Sequence, residues 1–281
     1  MDSSRTFERE SPAGGVAQPG PADVIRFRGH RGGVISMHRA LAHFRLGPMN
    51  LITAISLFVF FLSVWLALLP LICGLWSRIL AAGIRVLPLR AELVLAQHHW
   101  TPYLRFGIPY FRMEPLLPSL ETWSLTCAAT LLLFAATFLL SGRWIPVIYL
   151  SRGVLLVQAT ALLYFALLPA RFPHTPESYI GGLVTSGMAL ISTVPLLFGL
   201  TYYIFDFGLL RKALLTAITM AHLTLFLPFQ VLLQALVLQK TVLFMPVLYI
   251  IFGMPLDVLL IIAFYSWGMT WSFRSVKLRN E

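Results

Sequence analysis

Charge is what this sequence has least of. Only 11% of its 281 residues are Asp, Glu, Lys or Arg, against about 25% in a soluble domain whose surface meets water. So little charge cannot cover a water-facing globule of 31.5 kDa. A soluble enzyme, a coiled coil and a disordered protein are excluded. Acid is the scarcer sign, with 11 Asp and Glu to 21 Lys and Arg. Cysteine is scarcer still. Cys73 and Cys127 stand alone, without the paired spacing of a zinc, haem or redox site. No phosphate-binding loop, dinucleotide fingerprint, zinc-protease helix or nucleophile elbow occurs, and no internal repeat is evident. The first 20 residues mix Ser, Gly, Pro and both charges without the apolar core of a cleavable signal peptide. The first membrane helix is therefore expected to drive insertion.

What is present is grease. Apolar residues make up 58% and mean hydropathy is +0.80. Crossing a hydrocarbon layer of ~30 Å takes roughly 20 apolar residues. Six stretches qualify, at about 51–73, 122–141, 145–168, 179–205, 213–238 and 242–268. The expected fold is an all-α polytopic bundle of six transmembrane helices. Residues 1–23 read as a disordered tail and 24–49 as a basic juxtamembrane segment. Residues 50–270 read as the membrane domain and 271–281 as a basic C-terminal tail. In 24–49, Arg26, Arg28, Arg31, Arg39 and Arg45 stand without an acid. They suit contact with anionic lipid headgroups, and equally serve as topology-setting charges.

Lys and Arg set the orientation. Both tails and the turns near 143 and 211 carry thirteen, the other connections carry seven, and Arg152 lies inside a span. Both termini are thus expected in the cytoplasm, and the 74–121 connection outside. There WSRILAAGIRVL puts Arg78, Ala81, Ala82 and Arg85 on one helical face and Ile79, Leu80, Ile84 and Leu87 on the other. That pattern predicts an amphipathic helix in the outer interface, between the first and second spans. The following segment carries Trp100, Tyr103, Phe106, Tyr110, Phe111 and Trp123, which suit a headgroup-level aromatic belt.

Ionisable groups within spans are expensive and are functional candidates by default. Asp257 follows Gly253 and Pro255, and Pro255 deprives the Ile251 carbonyl of its helical partner. A Gly/Pro-interrupted helix beside a carboxylate is one way to build an ion site. Counting 1.5 Å per residue from the span ends puts Asp257, His222 and Arg152 in one polar layer, with Gln158, Gln230 and Gln234 deeper. Thr216 and Thr219 share a face of the fifth helix with the last two glutamines. This cluster reads either as an ion pathway with Arg152 as counter-charge, or as an Arg152–Asp257 pair and a hydrogen-bonded His222 that pack the bundle. Ser178, Thr185, Ser192 and Gly199 recur every seven residues and read as a helix-packing seam. Asp206, Arg211 and Lys212 read as a turn with local charge pairing.

On the outer side His98, His99, His174, Glu92, Glu114, Glu121 and Glu177 are metal-ligand types, but their spacing does not bring them together. No metal or cofactor is expected. Cys127 with Arg171 and His174 holds the parts of a membrane cysteine enzyme, although TCAAT is also the context of a plain core cysteine. The basic residues flank apolar stretches, so nucleic acid is not expected as a partner. Membrane lipids and other membrane subunits are. The composition points to a non-enzymatic accessory or channel-forming subunit of an envelope transport or assembly complex, in a bacterial inner membrane. An ion-coupled transporter using Asp257 and His222 and an outer-face enzyme on a lipid-linked or peptide substrate are the alternatives.

Overall fold

The computed structural model describes residues 48–99, 105–202 and 208–277. Two units are distinguished, Met1–Arg45 and Leu46–Glu281, and the described residues all belong to the second, unit 2. The tail at 1–23, the five headgroup arginines from Arg26 to Arg45, Trp100, Tyr103 and Asp206 lie outside the described residues.

Unit 2 runs α1 (Pro48–Val86), β1 (Glu92–His99), β2 (Arg105–Arg112), α2 (Leu120–Ala136), α3 (Ile145–Leu167), α4 (Pro176–Tyr202), α5 (Leu209–Leu238), α6 (Met245–Phe252) and α7 (Met254–Lys277). Among the described residues, five candidate membrane helices are long and apolar enough to cross a bilayer: α1, α3, α4, α5, and α6 with α7 taken together. The protein is thus a multi-pass helical membrane protein. Six spans are expected, and α2 is the difference. Its 17 residues reach only ~26 Å, short of the ~30 Å hydrocarbon layer. Ser119 caps its start by accepting from the Thr122 amide, and the helix gives way to turns after Ala136. The expected C-terminal tail also begins as helix, since α7 continues to Lys277.

No separate interfacial helix forms. The amphipathic segment is the last third of α1, which continues unbroken for 39 residues through Pro70. Its apolar face was rightly periodic, but it meets protein instead of lipid. Trp76 and Leu80 are buried, and Ile79, Ile84 and Leu87 pack around them. At Gly83 the backbone lies so close to the Leu232 side chain of α5 that any Cβ would collide with it.

The connection after α1 carries a β-hairpin. β1 and β2 pair antiparallel, from Glu92 opposite Arg112 to His99 opposite Arg105. Pro109, opposite Leu95, is tolerated because each strand of a two-stranded ladder is an edge. Phe106, Ile108 and Phe111 are buried in the core, not arrayed at a lipid surface. The hairpin rests on α1 and α4. It is tied to neighbouring connections: Tyr110 and Arg112 donate to Glu177, the Arg90 amide to Gln239, and the Val242 amide to the Leu116 carbonyl. The hydrogen bond and charge of Glu177 hold the Arg112 guanidinium above its ordinary pKa. Arg112 is exposed, so that pair adds little stability.

Inside the bundle, prolines create a specific need. Pro228 in α5 has no N–H, so the Thr224 carbonyl lacks its helical donor. The Trp76 indole of α1 supplies one at 2.8 Å, in a buried position. Trp65 makes a second α1 contact, donating to the Ser192 hydroxyl of α4 at 2.8 Å. Trp76→Phe leaves the buried Thr224 carbonyl without a donor and is expected to cost about 1–3 kcal/mol, the range for an unsatisfied buried group. The cost should shrink when Pro228→Ala restores the backbone donor. Thermal unfolding of the four proteins of this cycle in detergent checks it; equal costs in both backgrounds would refute the pairing.

Candidate functional site

α5 and α7 run antiparallel, and their interface carries the polar groups of the bundle in layers. His222 meets Phe264, Gln230 bonds Asp257, and Gln234 reaches Phe252 just before α7 begins. The centre is the break between α6 and α7. Gly253 is extended there (φ −100°, ψ −156°), and a Cβ on it would collide with the Tyr249 carbonyl oxygen. The Leu256 amide turns to the Gly253 carbonyl at 3.0 Å, one residue short of the Phe252 carbonyl it would serve in a continuous helix. The Gln234 amide fills that gap, donating Nε2 to the Phe252 oxygen at 2.6 Å. The Tyr179 hydroxyl of α4 then donates to Gln234 Oε1 at 2.6 Å. Three elements are thus joined through one side chain, itself 0% exposed.

One turn away, Asp257 lies in the first turn of α7 and is 4% exposed. Gln230 Nε2 donates to its Oδ1 at 2.8 Å. Among the described residues Asp257 makes no ion pair, and Gln230 Oε1 is buried without a partner. Desolvating an ionised carboxylate costs several kcal/mol, while a helix N-terminus returns at most about 2 kcal/mol in favourable partly buried geometries.

The expected single polar layer does not form. Arg152 donates Nε to the Thr137 hydroxyl at 3.0 Å, and its guanidinium sits 4.3 Å from the centre of the Phe138 ring. It clamps the end of α2 to α3, and the Arg152–Asp257 pair is not made. His222 stacks on Phe226 at 5.6 Å and tilts against Phe264 at 5.0 Å, with Nε2 buried and unpartnered. It lies eight residues before Gln230, so about 12 Å along α5 separates the two. Depth counted from the ends of apolar runs placed these residues level because it assumed the runs start level; α7 in fact extends nine residues past 268. Gln158 is buried on α3 with both amide atoms unpartnered. Thr216 and Thr219 are buried and donate to the carbonyls of Lys212 and Leu215 on their own helix.

The seam residues divide. The Ser192 hydroxyl meets Trp65, and a Cβ on Gly199 would lie 3.4 Å from the Ala54 carbonyl, so these two face α1. Thr185 and Ser178 are exposed, and Ser178 exchanges capping bonds with Thr175 at the start of α4. Lys212 is buried, donating Nζ to the Tyr202 carbonyl at 3.0 Å, where a cation complements the end of α4.

On the hairpin side, a cleft of about 630 Å³ lies between α3, α4 and α6, with Phe172, His174, Tyr179 and Tyr249 in its wall. Tyr179 therefore lines the cleft and bonds the side chain that serves the break. Cys127 is half-buried on α2, and no hydrogen bond links it with Arg171 or His174 among the described residues. No group of three or more His, Cys, Asp and Glu gathers among those residues either. Tyr179 was missed as a site residue. Its only sequence signal was a hydroxyl seated at the start of a span.

Gln234→Leu leaves the Phe252 carbonyl and the Tyr179 hydroxyl unpaired together, whereas Tyr179→Phe removes one bond and leaves the break served. The first is expected to cost about 1–3 kcal/mol, the range for an unsatisfied buried group, and the second less. Melting temperatures of both variants in the same detergent check the order, and the reverse order would refute this role of Gln234. No family model, curated protein or solved structure matches the chain, so its function is read from this geometry.

Proposed function

We propose that the protein is a channel-forming component of the membrane that passes a monovalent cation, a proton or an alkali ion, by way of Asp257. The observation that carries this reading is the interrupted final span, with a buried carboxylate in the first turn after the break. Unwound backbone in a membrane helix is tolerated where it serves a cavity or is buried in protein, and half-helix ends are where transport proteins place ion sites. Tyr179 links the cleft to the break through Gln234, and His222 supplies a further polar group on the α5–α7 interface.

In this reading α2 and the turns after it complete a sixth crossing. The charge bias of the connections puts both termini in the cytoplasm and the hairpin outside. A bacterial inner membrane fits the short connections and arginine-rich composition.

A second reading is favoured by α2. It packs against α3, while Leu125, Leu131, Leu132, Leu133 and Phe138 are exposed. That suits an accessory subunit whose α2 edge meets other membrane proteins of a transport or assembly complex. Stoichiometric partners retained in mild detergent, and lost on charging α2, would support it.

The pathway is tested in liposomes holding the purified full chain, with imposed proton or sodium gradients and fluorescent readout of each ion. Asp257→Asn is expected to lower the flux about tenfold or more, equal to about 1.4 kcal/mol or more in barrier height. Arg152→Gln, which touches only the α2 clamp, should leave it near the wild-type rate. Absence of flux under both gradients, or full flux in Asp257→Asn, would refute the reading.

A further inference from the structure

We infer that the Asp257 carboxyl holds a proton, bound as a cyclic carboxyl–amide pair with Gln230, and that this pair is the proton-binding site of the membrane domain. The inference rests on the cation reading above and names the ion. Gln230 Nε2 donates to Asp257 Oδ1 at 2.8 Å, and Gln230 is 2% exposed with its Oε1 lacking any donor. A proton on Asp257 Oδ2 supplies that donor. The amide N–H then serves the acid carbonyl and the acid O–H serves the amide oxygen, so the orphaned Oε1 gains its donor.

Turning the Gln230 amide over does not remove the requirement. Amide nitrogen and oxygen exchange places by a simple flip, and the flipped form sets Oε1 against Oδ1. Two acceptors facing one another again need a proton between them. An ionised Asp257 would hold one hydrogen bond from Gln230 and no cationic partner among the described residues, in an apolar interior where buried charge is stabilised only by pairing. An alkali ion needs more oxygens than these two. Of the carbonyls freed at the break, that of Phe252 is already taken by Gln234.

The titratable groups on the surrounding elements are engaged elsewhere. Tyr179 of α4 donates to Gln234, and Tyr202 donates to the Lys212 carbonyl. On α5, Lys212 donates to Tyr202 and His222 lies between Phe226 and Phe264. Tyr249 of α6 is exposed, and Tyr265 of α7 lies against Phe198. Uptake and release are then a simple exchange. The carboxylate takes a proton onto Oδ2 and forms the O–H···Oε1 bond. On release that bond breaks, and the amide N–H alone remains on the carboxylate.

Infrared spectra of the purified full chain in lipid at neutral pH test this. Wild type is expected to show a protonated-carboxyl C=O band that shifts in deuterated buffer. Asp257→Asn, which can form the same cyclic pair as an amide, should fold and lack the band. Its melting temperature should also decline less with rising pH than wild type, because only wild type must keep a proton that the unfolded chain has released. A wild-type spectrum with ionised-carboxylate bands alone, or parallel pH profiles for the two proteins, would overturn the inference. Sodium flux with an ionised Asp257 would overturn it while leaving the cation pathway standing. The protonated band without any flux would uphold the proton and remove the pathway.

Discussion

A backbone carbonyl stripped of its helical N–H cannot stay unpaired inside a greasy bundle, and much of this structure follows from that constraint. An unsatisfied group in an apolar interior costs several kcal/mol when no water can reach it. Pro228 strips Thr224, and the answer is the Trp76 indole of a helix far away in sequence. The break at Gly253 strips Phe252, and the answer is Gln234. Each repair joins two helices at a fixed point. Apolar packing alone gives little such direction in a membrane, since lipid tails are as apolar as leucine.

The same repairs shape the site. With Gln234 committed to the break and to Tyr179, the next turn of α5 presents Gln230 to Asp257. The carboxyl therefore sits against an amide, and Arg152, the expected counter-charge, is engaged elsewhere, against Thr137 and Phe138. A carboxyl facing an amide can gain or lose a proton with modest rearrangement. A carboxylate locked to an arginine is held charged. The proposed role of Asp257 rests on that difference; Lys212, also buried, donates to the last carbonyl of α4.

Several of these features are legible in the sequence. Low charge and long apolar runs sufficed for a multi-pass helical protein. Gly253, Pro255 and Asp257 marked the interrupted span, and the two glutamines of α5 stood out as costly polar residues. Other features were not. The WSRILAAGIRVL segment has the periodicity of an interfacial helix, and its pattern cannot say whether the apolar face meets lipid or Leu232. The hairpin was hidden because Pro109 and the aromatics around it resemble an irregular belt. α2 has the composition of a span but stops after 17 residues, a boundary set by turns and not by hydropathy.

Sequence by itself determined the solvent and the currency of this protein: composition requires a bilayer, and the few polar residues within the apolar runs are the candidates for chemistry. Tertiary structure decided who meets whom. Periodicity assigns a residue to a face of its own helix, but the partner of that face depends on crossing position and axial offset between helices, which no one helix encodes. Hence Arg152, His222 and Asp257, level by simple counting, occupy three different settings, while Tyr179, Gln234 and the Phe252 carbonyl, remote in sequence, form one.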